Sequence, residues 1–480
     1  FWDAVEHEDL GRLAGVLDTD DDLLRPVVPV LSSWRRRSRA ASTTDAWRMR
    51  VDWQPLATLP AGDLTGDWLL VTPDTADPAG VRDALERAGA TVRLLSPEPR
   101  ETLTARLGDH PDVTGVVALT GSADAPDPAH PAVPAGIGMT LDLIHALATA
   151  GLDAPLWCVT SGAVSVGRSD PLRSPAQAQL WGLGRVAALE MPQRWGGLVD
   201  MPKTVDVRAG ERLAAVLTHR IEDQIAVRSS GVFGRRLVPA PVTRAATPWQ
   251  PRGTTVITGG TGALGAEVAR LLAGRGAPHL LLTSRRGADA PGAANLVAEL
   301  AALGSRVTVA AVDVADRDAL AEVLATVGAD VPVHAVVHTA GVAPSFALEH
   351  TDSAAYAEVV TGKVLGAVHL DALLADADLD RFIVFSSIAG SWGSGGQAAY
   401  SAANAHLDAL AAHRIAHGRP ATAVAWGPWA GIGLASDGEA ADYLLRRGLK
   451  AMPPALAMSA FARAVDHRDT ELIVADVDWP

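Results

Sequence analysis

The chain has 480 residues, 48% of them hydrophobic and 20% charged, with a formal net charge of −14. This is a globular composition, long enough for two or three domains, and its acidity argues against nucleic acid as a partner. The single cysteine, Cys158, excludes a disulfide framework or a cysteine metal site, and no apolar run approaches the length of a membrane span.

Phe1-Trp2-Asp3-Ala4-Val5-Glu6 has neither the basic start nor the apolar core of a signal peptide. With no initial Met, the chain is expected to come from a longer polypeptide, and a cytoplasmic location is the simplest expectation. Residues 3–17 carry helical periodicity through Val5, Leu10, Leu13 and Leu17. A second helix fits Pro29–Arg37, with Pro tolerated in its first turn and Arg35, Arg36 and Arg37 complementing the dipole at its end. Two such short helices bury little alone, so they are expected to pack on the next domain or on a second copy. Residues 38–45 read as a linker.

From Trp47 to about Pro239 strand-like runs alternate with helical ones, the pattern of a parallel α/β sheet. The strands are expected at 48–53, 68–72, 91–95, 115–119, 156–160 and 197–201. Helices are expected near 80–88, 136–150, 174–190 and 209–220. The turn after the 68–72 strand, Pro73-Asp74-Thr75-Ala76-Asp77, has no glycine and two acids. Such a turn neither admits a pyrophosphate closely nor attracts it, so this half is expected to be Rossmann-like without a nucleotide.

Pro239, Pro241, Pro248 and Pro251 mark a boundary. The pattern then restarts with a strand, Thr254–Thr258, and the turn Gly259-Gly260-Thr261-Gly262-Ala263-Leu264-Gly265 before a helix. The glycines at 260, 262 and 265 form G-x-G-x-x-G in strand–turn–helix context, a dinucleotide fingerprint. The next strand, 279–283, ends in Ser284-Arg285-Arg286, where an NAD site usually has an acid. A hydroxyl and two guanidiniums suit a 2′-phosphate instead, which predicts NADPH over NADH. Asp313 and Val314 follow the 307–312 strand at the expected adenine edge. Thr339, Ala340 and Gly341 follow the 333–338 strand and line the same crevice.

The apolar run Phe382-Ile383-Val384-Phe385 ends at Ser386-Ser387. A Gly-rich loop, Gly390 to Gly396, leads to Tyr400 at the opening of a helical segment, and Asn404 lies one turn later on the same face. A hydroxyl, a phenol and an amide around one crevice suit chemistry on a carbonyl. Taken alone, these residues fit a structural Ser-Ser turn and a core Tyr equally well; the glycine turn upstream tips the reading towards chemistry.

Thr258-Gly259-x-x-Gly262-x-x-Gly265, with Ser387 and Tyr400 thirteen residues apart, resembles a short-chain dehydrogenase/reductase. Such enzymes usually carry Lys four residues after the Tyr, where this chain has Asn404. That exchange resembles the ketoreductase domains of modular type I polyketide synthases, and it brings in Lys363 of Thr361-Gly362-Lys363-Val364-Leu365-Gly366 as the displaced Lys. Ala425-Trp426-Gly427-Pro428-Trp429 fits the same branch. The resemblance covers the whole chain and implies an α/β fold of two Rossmann-like subdomains: a truncated, cofactor-free structural one (46–240) and a complete catalytic one (241–480). A short helical dimerisation element with its linker (1–45) precedes them.

By the same resemblance the substrate is a β-ketoacyl phosphopantetheine thioester on an acyl carrier protein, and NADPH is the reductant. Tyr400 gives a proton to the forming alkoxide, and Lys363 as ammonium lowers the phenol's pKa from about 10. Ser387 polarises the carbonyl, and Asn404 fixes a water or Lys363. Other domains of the same module are implied as partners, with a homodimer through residues 1–37 and neither nucleic acid nor membrane. Trp392, eight residues before the Tyr, Gln397 in place of a His, and the absence of Leu-Asp-Asp in Gly341–Leu348 resemble the A1 type. That type gives an L-β-hydroxyl with the α-carbon not epimerised. The segment from Gly431 to Pro454, with an amphipathic helix near Asp442–Leu449, is expected to form a lid; Met452, Met458 and Leu445 face either the acyl chain or the core. The competing readings are a reductase-inactive or epimerising domain of the same fold and a free-standing reductase of small ketones.

Overall fold

The computed structural model describes residues 1–433 and 438–479. In the first half the strands are β1 (Arg48–Pro55), β2 (Asp67–Val71), β3 (Thr91–Leu95), β4 (Val113–Ala118), β5 (Leu156–Thr160), β6 (Trp195–Asp200), β7 (Gln224–Arg228) and β8 (Gly231–Pro239). In the second half they are β9 (Thr254–Thr258), β10 (His279–Ser284), β11 (Arg306–Ala311), β12 (Val333–His338), β13 (Arg381–Ser387), β14 (Thr422–Trp426), β15 (Leu449–Lys450), β16 (Glu471–Val474) and β17 (Asp476–Val477). All but β15 and β17 belong to one sheet, ordered β11-β10-β9-β12-β13-β14-β16-β1-β8-β7-β6-β5-β4-β2-β3.

Each half has a doubly wound order in this sheet. In the second half β9 lies between β10 and β12, with β11 outside β10. The first half repeats the plan as β3-β2-β4-β5-β6-β7 but ends at β3, one outer strand short; in this sense it is truncated. The ladders from β3 to β7 and from β11 to β16 are parallel, with β8 joining β7 antiparallel, and their inner strands are buried apolar runs, as two-sided burial demands. The seam is antiparallel: β1 pairs with β16 on one side and β8 on the other.

Residues 38–45, expected as a linker, are helical instead. A helix runs from Val28 to Ala46. Its polar second half is held by packing on helix Pro454–His467, where Arg463 donates to the Ala41 carbonyl (2.9 Å) and pairs with Asp45 (2.8 Å). Tertiary contact therefore decides what propensity leaves open. Helices Trp2–Glu6, Leu10–Leu17 and Asp21–Leu24 precede it and share a small core of Ala4, Val5, Leu13, Leu24 and Val28.

The acid-rich turn after β2 also has a structural role. The Asp77 carboxylate accepts from the Ala79 amide (3.0 Å) at the start of helix Ala79–Arg87. A carboxylate thus already occupies the end where an anion would bind. Among the described residues, no helix is long and apolar enough to cross a membrane, and no cluster of His, Cys, Asp or Glu could hold a metal.

In the expected lid, residues 434–437 lie outside the described residues. The helix there spans Gly438–Arg446. Leu445 is exposed, whereas Met452 and Met458 are core residues beside Trp429 and Phe461.

Candidate active site

β13 delivers Ser387 to the C-terminal edge of the sheet, the edge at which doubly wound folds bind ligands. Ser387 caps the short helix Ile388–Trp392, its Oγ accepting from the Ala389 amide (3.2 Å). The true loop is therefore shorter than expected, 393–397, and Trp392 ends a helical turn. Helix Ala398–Ala416 then presents Tyr400, Asn404 and Asp408 at i, i+4 and i+8 on one face. Tyr400 is half-buried. Burial pushes its phenol pKa up, and hydrogen bonds from Ser387 and Asn404 oppose the rise.

Lys363 comes from a π-helical turn, Thr361–Leu365, a wide turn of the kind often found at functional sites. It is buried, donates to the Phe385 carbonyl (2.9 Å) and sits 5.5 Å from the Tyr400 ring centroid. Burial lowers its pKa to about 8, opposed by the Asp408 carboxylate. Desolvation dominates both groups, and the ammonium sits beside the ring, bonded to a carbonyl. Asn404 is fully buried; its Nδ2 donates to the Tyr400 carbonyl (2.8 Å), and among the described residues its Oδ1 accepts nothing. It bonds to Tyr400 rather than to Lys363.

The glycine turn fits a dinucleotide by shape. Gly259 has φ +66°, which favours glycine. A Cβ on Gly265 would lie 2.4 Å from the Gly259 carbonyl oxygen, and one on Gly260 2.8 Å from that of Ile257. Helix Ala263–Gly274 begins at Gly262 with no side-chain cap and no acid in its first turn, unlike helix Ala79–Arg87 with its Asp77. Its free amides suit a pyrophosphate. Thr261 and Leu264 are half-buried at this end, Leu264 against the core. At the end of β10, Ser284 Oγ accepts from the Gly287 amide (3.0 Å). Arg285 and Arg286 are exposed and, among the described residues, pair with no carboxylate. Asp313 is exposed and holds the Ala315 amide (3.0 Å) beside buried Val314. Thr339 donates to the Thr258 carbonyl (2.6 Å), and Thr258 Oγ accepts from the Ala340 amide (3.4 Å). Gly341 lies beside Lys363: a Cβ there would be 3.5 Å from Nζ.

Two groups near the site escaped the sequence reading. His338 is buried between Thr258 Oγ (2.7 Å) and the Lys363 carbonyl (2.8 Å). Burial lowers its pKa to about 4, so the ring is neutral. A carbonyl only accepts, so Nε2 carries the proton and Nδ1 accepts from Thr258. This chain ties the strand before the glycine turn to the turn bearing Lys363. Burial pushes Asp408 up to about 6, with Ser386, Arg185, Arg235 and Lys363 opposing. It lines a cavity of about 840 Å³ between the halves. The i+8 spacing from Tyr400 was the available signal for Asp408; His338 had only its place at a strand end.

Trp392 meets Trp479 edge-on, with ring centroids 6.5 Å apart, and packs against the core around Ile388 and Ile473. Gln397 is half-buried and bridges Phe346 through the backbone, joining the loop before Tyr400 to the loop after β12.

Three sequence families match in succession: the polyketide synthase dimerisation element domain (residues 1–40), the Rossmann fold domain of polyketide synthase extender module SpnB (51–237) and the KR domain (253–431). Polyketide synthase GfsA of Streptomyces halstedii is 50% identical over 503 aligned residues, which take in 100% of this chain but 7% of GfsA. The chain thus spans a small fraction of the curated relatives it matches. Among solved structures, an A1-type ketoreductase is 45% identical with a TM-score of 0.87, covering 91% of this chain and 94% of that one. A C2-type ketoreductase from a modular polyketide synthase is 46% identical with a TM-score of 0.84, covering 90% and 95%.

Proposed function

Because this chain belongs to the ketoreductase domains of modular polyketide synthases, we propose that it reduces the β-keto group of an acyl-carrier-protein-bound polyketide with NADPH. The product is an L-β-hydroxyl with the α-carbon not epimerised. One observation carries the reading: Tyr400, Ser387, Asn404 and Lys363 meet at the carboxyl edge of the sheet that ends in the open glycine turn. Bound NADPH supplies a hydride to the β-carbon. Ser387 donates to the carbonyl oxygen, where negative charge grows. Tyr400 gives up its phenolic proton to that oxygen, and the phenolate left behind is held by Ser387, Asn404 and the nearby Lys363 ammonium. The buried phenol keeps its proton until the alkoxide forms, because ionising it in the ground state is costly.

The stereochemical part rests on Trp392, Gln397 and the missing acids of Gly341–Leu348. Overall similarity does not carry it, since A1-type and C2-type relatives match at 45% and 46% identity. The partners in this reading are an acyl carrier protein bearing the thioester and the other domains of the module, in the cytoplasm. A homodimer through residues 1–37 is supported by the exposed Phe1, Trp2, Leu23, Val30 and Trp34 on the helical element.

Exposed Arg285 and Arg286 support the choice of NADPH. Replacing both by Ala is expected to raise the NADPH Kd about 10- to 100-fold, the scale of one or two charge-assisted hydrogen bonds, while leaving that for NADH unchanged. Nicotinamide fluorescence titration reads both constants. Equal loss for the two cofactors, or no loss, contradicts the assignment.

A further inference from the structure

The half of the molecule that lacks the glycine turn reaches into the mouth of the other half's site. Helix Pro175–Glu190 lies along helix Ala398–Ala416 so closely that a Cβ on Gly182 would sit 2.4 Å from the Ser401 carbonyl oxygen. Its C-terminal half forms a floor for the loop before Tyr400. Arg185 Nη1 donates to the Gly390 carbonyl, and Gly393, with φ +86°, places its Cα against the Arg185 backbone, where a Cβ would be 2.9 Å from the carbonyl oxygen.

The last residue of that helix, Glu190, does more. Its Oε1 accepts from the Gly396 amide (2.6 Å), and its Oε2 accepts from the Leu348 amide (2.7 Å). Gly396 lies four residues before Tyr400, and Leu348 closes the loop that follows β12. The two loops also hold each other: the Phe346 amide (2.7 Å) and Ser345 Oγ (3.0 Å) both donate to the Gly396 carbonyl. Among the described residues, no cation pairs with Glu190, so its charge is answered by these two amides. Charge-assisted bonds of this length are the stronger kind.

We propose that Glu190 is a positioning residue that staples the 341–348 and 393–397 loops together and so fixes the direction in which substrate enters. The proposal rests on the reading of these loops as the substrate mouth. Glu190 touches neither the reacting atoms nor the glycine turn. Its loss therefore acts on how substrate is held, with proton donation and cofactor binding left in place.

The test compares Glu190→Ala and Glu190→Gln with the wild type, using a 2-methyl-3-ketoacyl N-acetylcysteamine thioester. In the Ala variant KM is expected to rise on the order of tenfold, the scale of one charge-assisted hydrogen bond. kcat should stay within about threefold, the NADPH Kd should not change, and the single product stereoisomer should become a mixture. Gln offers one acceptor oxygen for two amides, so its variant is expected to fall between. Hydrogen exchange of the peptides spanning 346–351 and 393–399 should quicken in both variants, with the rest of the sheet still protected. A variant with wild-type KM, a single stereoisomer and unchanged exchange overturns the proposal. A wild type that turns nothing over sinks the ketoreductase reading instead, and the exchange measurement still decides the staple.

Discussion

Tyr400→Phe is expected to lower kcat by about 10³–10⁴-fold while NADPH still binds and the protein still melts at its usual temperature. The substitution removes one hydroxyl and leaves the ring in place. That hydroxyl is the only group in the reading that parts with a proton, and positioned general acids contribute on the order of 10²–10⁴-fold. Loss of the hydrogen bonds it shares with Ser387 and Asn404 adds to the effect. The ring keeps its contacts with the core around helix Pro175–Glu190 and with Lys363, so the fold should not suffer. Single-turnover absorbance of NADPH, with a thermal melt alongside, separates the outcomes. Residual turnover within about tenfold of wild type would assign the proton to another group.

Lys363→Met gives the second-largest change, an expected fall in kcat of about 10²–10³-fold, and its pH dependence is diagnostic. The wild-type ammonium loses its proton near pH 8, so wild-type activity should fall as pH rises through about 8. In the variant that limb should vanish and leave a low, flat rate. Stability moves the other way. The folded pKa of about 8 lies below the unfolded value of about 10.4, so below pH 8 the folded state holds an ammonium that burial disfavours by roughly 3 kcal/mol. Wild-type stability should therefore rise between about pH 8 and 10 as activity falls, and the Met variant should lack that rise. Melting temperatures and initial rates over pH 6–10 check both signs. An alkaline limb that persists in the variant contradicts the assignment to Lys363.

The parts of the fold set by local pattern were legible in the sequence. The buried runs of β9, β12 and β5 stand where their apolar residues put them, and the glycine turn sits between strand and helix. What the sequence hid is set by contacts distant along the chain. Residues 38–45 are polar and small, and they are helical because Arg463, more than 400 residues later, binds them. β8, with Gly231, Gly234, Arg235 and Arg236, looks like a loop in the sequence; pairing with β1 and β7 makes it a strand. The site shows the same division. Ser387, Tyr400 and Asn404 are legible from spacing along one strand–helix unit. The π-helical turn that buries Lys363, the neutral His338 behind it and the two amides held by Glu190 depend on partners from other elements. No window of sequence contains both partners of these contacts.

The most direct measurement is NADPH oxidation by the wild-type protein with a racemic 2-methyl-3-ketoacyl N-acetylcysteamine thioester, followed by chiral chromatography of the product. A dominant L-hydroxy product with the α-carbon unepimerised is the predicted result. A protein that binds NADPH and consumes none contradicts the reductase reading, and a dominant D-hydroxy product contradicts the stereochemical role given to Trp392 and Gln397.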